Sequence, residues 1–143
     1  MVYLESPTPS GDGPAAEVRT VLQENRTILP HVTVARVGDP VRFPNHDDVY
    51  HNLFSLSEGN SFNLGRYAPG GAPEHVFENE GVVRLFCDIH PEMAGLILVL
   101  DAPHFATPSA DGSYRVDGVP AGTWNVVSWH PATRSDTASV TLT

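Results

Sequence analysis

Three side chains with metal-binding chemistry, Cys87, His90 and Met93, stand within seven positions in the stretch FCDIHPEMAGLILVL, residues 86–100. They include the chain's single cysteine and its only methionine besides Met1. A thiolate, an imidazole and a thioether presented from one short turn can converge on a point, and soft sulfur combined with imidazole selects copper or zinc. A cysteine with two histidines and a weak axial methionine is the donor set of blue-copper electron-transfer sites. The second imidazole must come from elsewhere, and NHDDVYHNLFS, residues 45–55, supplies His46 and His51. Asn52, directly after His51, is a polar neighbour of the kind that fixes a ligand's geometry. One cysteine forms no internal disulfide, so Cys87 is a small buried hydrophobe, a reactive thiol or a ligand. The clustering of donor types favours the ligand. Structural zinc prefers several cysteines, or cysteine and histidine pairs, and methionine is a poor zinc ligand. Glu92 is the alternative axial donor to Met93, through oxygen.

Such a loop needs rigid elements on both sides, and the hydrophobic pattern supplies strands. VVRLFCD alternates, with Val83, Leu85 and Cys87 on one face and Arg84 on the other, while GLILVL is apolar throughout, as a strand covered on both faces would be. HVTVARVGDPVRFPN places Val32, Val34, Val41 and Phe43 on one face, with Gly38-Asp39-Pro40 as the turn. SYRVDG, WNVVSWH and ASVTLT read as three further strands, separated by turn residues and by a loop over residues 131–136. EVRTVLQEN is the one window with helical spacing, yet Thr20, Val21 and the Pro30 boundary favour an extended chain there. The expected fold class is all-β.

Composition narrows the partners. Among 143 residues there are 17 acids against 8 bases, all of them arginine, for a formal charge of −9. That balance argues against nucleic acid or an anionic membrane and permits a basic protein partner. Asp47, Asp48, Asp88 and Glu92 are expected to crowd one end of the fold as a docking rim. No window is long and apolar enough to span a bilayer, and the first residues lack the charged and apolar regions of a signal peptide. The other histidines, His31, His46, His75, His104 and His130, are expected at the surface. Asn25-Arg26-Thr27 matches a glycosylation sequon, a pattern common by chance.

TILPHVTVARVGDPVRFPNHDDVYHNLFS together with FCDIHPEMAGLILV resembles the cupredoxins of the plastocyanin and amicyanin kind over residues 17–101. In that family an N-x-x-x-x-x-H-N segment and a later F-x-C-x-x-H loop ending in methionine carry the site. The positions here are Asn45, His51, Asn52, Cys87, His90 and Met93, and Pro91 after the histidine is most similar to amicyanin. The resemblance implies a Greek-key β-sandwich and one type 1 copper. It implies His51, Cys87 and His90 as equatorial ligands, Met93 as the axial one, and Asn52 tying the two ligand segments together and donating toward the cysteine sulfur. Asn45 is a weaker supporting position.

From residue 102 a different pattern begins. Thr107, Gly112, Tyr114, Val119, Pro120, Gly122 and Trp124 are similar to the carboxypeptidase regulatory-like, transthyretin-like sandwich, and Val2-Tyr3-Leu4 resembles the end of its usual opening run. The expected organisation is therefore discontinuous, with residues 1–6 and 102–143 as an incomplete β module and residues 7–16 as a linker to the inserted cupredoxin, a combination found in methylamine-utilisation and plastocyanin-like proteins. The resemblance implies an electron carrier cycling Cu(I) and Cu(II) between redox partners, periplasmic or secreted with its leader removed, and not an enzyme. A copper-delivery protein without fast turnover, or a structural β module with incidental copper, are the other classes the residues permit.

Overall fold

The computed structural model describes residues 1–6 and 15–143; of the expected linker, residues 7–14 lie outside the described residues. Every regular element among the described residues is a strand. In chain order these are β1 (Val2–Glu5), β2 (Arg19–Thr20), β3 (Leu22–Glu24), β4 (Thr27–Leu29), β5 (Val32–Arg36), β6 (Pro40–Arg42) and β7 (Leu53–Ser55). There follow β8 (Phe62–Asn63), β9 (Glu74–Val76), β10 (Gly81–Cys87), β11 (Ala94–Leu100), β12 (His104–Ala106), β13 (Gly122–His130) and β14 (Thr133–Leu142). EVRTVLQEN forms no helix: it carries β2 and β3 and ends in the turn at Asn25, in line with its β-branched residues. The chain divides into two compact units, Met1–Ala15 with Ala102–Thr143, and Ala16–Asp101.

The Ala16–Asp101 unit contains a five-stranded sheet in the order β5-β11-β10-β7-β8, a three-stranded sheet β2-β6-β9 and the β3-β4 hairpin. One core joins all three, drawing Val83, Leu85, Cys87, Ile97 and Val99 from the larger sheet, Val41 from the smaller and Ile28 from the hairpin. Burying a side chain such as Leu85 stabilises the fold by about 1.5–3 kcal/mol. The alternation read in residues 81–87 holds: Val83, Leu85 and Cys87 face the core while Val82 and Phe86 are exposed. Strand β11 is buried on both faces, with Ile97 and Val99 in the core cluster and Leu98 and Leu100 buried outside it. Strand β5 departs from its reading. Ala35, not Val34, joins the cluster, because β5 runs parallel to β11 with Ala35 opposite Val99 and Val34 opposite Leu98.

The second unit is a sheet ordered β12-β1-β13-β14, in which Val2–Leu4 pairs with both β12 and β13. SYRVDG forms no strand. Local bonds take its polar groups instead: Asp111 accepts from the Ser113 amide and hydroxyl, and Arg115 pairs with Asp117 at 2.6 Å. The loop expected over 131–136 is also absent, because a tight turn sets Thr133 opposite His130 and begins β14 there. His104 is buried rather than exposed, on β12, with its ring perpendicular to Trp124 at 5.5 Å.

Candidate metal centre

The pairing of β7 with β10 closes the 36-residue gap between the two donor segments. Cys87 ends β10 on its inward face and lies opposite Leu53, so the residues just before Leu53, His51 and Asn52, arrive beside the thiol. The Asp88 amide extends the ladder, donating to the Asn52 carbonyl at 3.2 Å. On the other side β10 pairs with β11 as far as Phe86 opposite Ala94, so Cys87, His90 and Met93 belong to a seven-residue hairpin loop. Within it the Met93 amide donates to the His90 carbonyl at 3.0 Å, which folds the loop back on itself.

Three donors meet there. Cys87 Sγ is 3.9 Å from His51 Nδ1 and 3.8 Å from His90 Nδ1, and all three atoms lie within 4.8 Å of one another. The imidazole rings stand nearly edge to face, 5.1 Å apart at 71°. A sulfur and a nitrogen bound to one ion at about 2.3 and 2.0 Å can be at most about 4.3 Å apart, so both sulfur–nitrogen distances suit a shared metal. They are too long for strong hydrogen bonds holding the thiol to either ring. His51 is 0% exposed, Cys87 3% and Met93 1%, whereas His90 is half-buried. Met93 shares the core cluster with Cys87, and Glu92 is exposed.

His51 is held from three directions. Its amide and carbonyl pair with Tyr67, at 3.2 and 2.9 Å, and its Nε2–H donates to Asp47 Oδ2 at 2.8 Å. That bond places the proton on Nε2 and leaves the Nδ1 lone pair directed at Cys87, the arrangement in which an imidazole binds a metal. Asp47 also accepts from the amides of Asn25 at 2.6 Å and Arg26 at 2.9 Å. Burial alone would raise its carboxyl, but the Arg26 amide, the His51 imidazole and the Asn25 amide outweigh that and hold it below the usual aspartate range.

Asn52 ties the two ligand segments through a carboxylate: its Nδ2 donates to Asp88 Oδ2 at 2.8 Å. Its Oδ1 is buried with no hydrogen-bond partner. Asn45 acts one step further out, donating to the Val49 carbonyl and accepting from the Asp47 amide, which shapes the turn that presents Asp47.

The expected acidic rim is therefore divided. Asp48, Asp88 and Glu92 are exposed, whereas the Asp47 side chain is 10% exposed and belongs to the site. Tyr67 and Gln23 were not among the residues singled out in the sequence. The Tyr67 hydroxyl donates to Gln23 Oε1, and Gln23 is fully buried, its Nε2 fixed on the Val21 carbonyl at 2.6 Å. Burial, and then the nearby Cys87, raise the Tyr67 phenol above its ordinary range. Neither residue lies in a donor motif, so only the pairing of Tyr67 with His51 could have revealed them. His75 is half-buried, stacked on Phe62 at 4.5 Å and edge-on to Phe77 at 4.8 Å.

Solved structures similar to the chain carry the same architecture. A purple cupredoxin from Nitrosopumilus maritimus is 29% identical over 57% of this chain and 99% of that one, with a TM-score of 0.51. A reduced amicyanin variant is 20% identical over 68% of this chain and 99% of that one, at 0.53. The fold is that of the cupredoxins. A copper-containing nitrite reductase from Thermus scotoductus is 24% identical over 66% of this chain at 0.55, but the match spans only 25% of that longer chain. No protein-family model matches the sequence, and no curated protein is significantly similar to it. The cupredoxin architecture and the donor set together suit one type 1 copper per chain.

Proposed function

We propose that the protein is a type 1 copper electron carrier in which His51, Cys87 and His90 bind the metal equatorially and Met93 axially. The convergence of the three donors within 4.8 Å, beside a fully buried methionine, carries this reading. Bound copper would supply the one-electron Cu(I)/Cu(II) couple. The chain's own part is to hold the donors in one arrangement for both states, so that little reorganisation accompanies transfer. Burial of His51, Cys87 and Met93 excludes water, and the Asp47 bond keeps His51 in its ligating tautomer. His90, the least buried of the four donors, is the route by which the electron crosses to a partner, and exposed Pro91 and Ala94 flank it.

The role is that of a carrier and not of an enzyme, because four side-chain donors leave no open coordination position for substrate. Exposed Asp48, Asp88 and Glu92 favour a redox partner with a basic docking surface, whose association weakens as salt rises. We assign residues 17–101 to the copper unit and residues 1–6 with 102–143 to a separate β module, in keeping with the two compact units; its likeness to the carboxypeptidase regulatory-like sandwich rests on the sequence motifs. A periplasmic or secreted setting suits a one-electron copper carrier of this fold. No described helix is long and apolar enough to cross a membrane.

The decisive experiment titrates apo-protein with Cu(II) and records visible and EPR spectra of the wild type and Cys87→Ala. An intense thiolate-to-copper band that vanishes in the variant is expected. A wild type without that band ends the reading.

A further inference from the structure

The β3-β4 hairpin, Leu22–Leu29, contributes none of the four donors, yet three of its parts reach the segments that carry them. Asn25 and Arg26 at its tip both hold φ of 53°, the left-handed region, which turns two successive amides toward one point. The Asp47 carboxylate occupies that point and passes the constraint to His51 Nε2. From the body of the hairpin, Gln23 accepts the hydroxyl of Tyr67, whose backbone brackets His51. The backbone of Gln23 also runs along the segment before Asp47, donating to the Pro44 carbonyl and accepting from the His46 amide, each at 2.9 Å. On the far strand, Ile28 packs against Gly95, two residues beyond Met93.

We propose that this hairpin is the positioning element for His51, with Asp47 the positioning residue through which its tip fixes the imidazole's tautomer and orientation. The inference rests on the copper reading for its consequence but not for its geometry. One amide pins each carboxylate oxygen of Asp47, Asn25 on Oδ1 and Arg26 on Oδ2, which resists rotation of the carboxylate, so the ring must follow it. An amide side chain at position 47 cannot reproduce this. It has one acceptor oxygen for three donors, and its NH2 faces either the Asn25 amide, from the Oδ1 position, or both the Arg26 amide and the His51 Nε2–H, from the Oδ2 position, donor against donor. In the second orientation relief on the His51 side moves its proton to Nδ1, the atom that must be bare to bind a metal; in the first the Asn25 amide loses its acceptor.

The test compares wild type, Asp47→Asn, and the double variant Asn25→Gly with Arg26→Gly, which keeps both amides and suits their left-handed backbone. In apo-protein, long-range 15N NMR reads the His51 tautomer, and hydrogen exchange reads the amides of residues 25 and 26. Expected are a wild-type Nε2–H tautomer with both amides protected, the same in the double-glycine variant, and, in Asp47→Asn, a shift toward Nδ1–H or a loss of protection at the residue 25 amide. In copper-loaded protein, Asp47→Asn should lose about 10- to 100-fold in Cu(II) affinity while the double-glycine variant stays within about twofold of wild type. An Nδ1–H tautomer in the wild type overturns the proposal, and that measurement needs no folded variant. Unchanged tautomer, amide protection and affinity in Asp47→Asn also overturn it. If the wild type shows the expected tautomer but forms no thiolate–copper band, the copper reading fails while the positioning by the hairpin stands.

Discussion

Gly95→Ala tests whether the hairpin and the donor loop press on each other as closely as the structure indicates. A Cβ placed on Gly95 would lie 2.7 Å from Ile28 Cγ2, 3.3 Å from Ile28 Cβ and 3.5 Å from the His31 carbonyl oxygen. Carbon atoms in contact normally sit about 3.5–4.0 Å apart, so the nearest pair is short by about 0.8 Å. The methyl group cannot swing away, because Ile28 is β-branched and stiff at χ1, and it is 1% exposed within the core. The strands must separate instead, at about 1–3 kcal/mol, the usual cost of overpacking. With a urea m-value of about 1–3 kcal/mol/M, the midpoint should fall by roughly 1 M. Both tryptophans, Trp124 and Trp129, lie in the other unit, so labelling of the buried Cys87 thiol during denaturation is the appropriate assay. Ile28→Ala alone should cost about 2–5 kcal/mol through its cavity. Combined with Gly95→Ala it should cost less than the sum by at least about 1 kcal/mol, since each change relieves the other. A Gly95→Ala variant within about 0.5 kcal/mol of wild type, or strictly additive costs, would refute the close approach.

Two further outcomes follow from charges near the site and from a half-buried ring. Asp88→Asn removes a negative charge beside Cys87 while leaving an oxygen to accept from Asn52, so the reduction potential of the copper-loaded protein should rise; voltammetry showing no change or a fall would contradict this. Burial holds the pKa of His75 below the ordinary histidine value, with Glu78 opposing the shift, so the unfolded chain takes up that proton first as pH falls. His75 therefore contributes stability that is complete above about 6.5 and is lost as pH drops toward its lowered folded value. His75→Phe should flatten the stability profile below about pH 6.5, and a profile parallel to wild type in denaturant titrations would count against this role of the half-buried stack.

What could be read from the sequence was what depends on local pattern. The alternation of residues 81–87 was enough to turn Cys87 inward, and donor spacing was enough to group it with His90 and Met93. Pairing register is a different kind of information. Nothing in NHDDVYHNLFS states that Leu53 will stand opposite Cys87, and only that register brings His51 to the thiol. Asp47 and Asp48 are adjacent and chemically identical in the sequence. Their difference arises because Asn45 turns the backbone so that one carboxylate meets the hairpin amides while its neighbour is left in solvent. Tyr114 to Gly118 shows the opposite failure: the alternation was real, but Asp111, Ser113, Arg115 and Asp117 satisfy one another within a few residues, and short-range bonds displaced the strand.

The candidate centre is thus assembled from two supports that share little. Cys87, His90 and Met93 arrive together on a loop closed by the pairing of Phe86 with Ala94, so their mutual spacing is set once the β10-β11 hairpin forms. Such a local contact forms at small loop-closure cost. His51 arrives separately, through β7 and through its contacts with Tyr67 and Asp47, and its position depends on a second hairpin sixty residues before the loop. The two supports meet at Ile28 against Gly95, and at the Asn52–Asp88 bond. A perturbation at the tip of β3-β4 should therefore displace one imidazole and leave the other three donors in register. A perturbation at Gly95 strains both halves at once. In apo-protein the two should be distinguishable by whether the NMR signals of His51 move alone or together with those of His90.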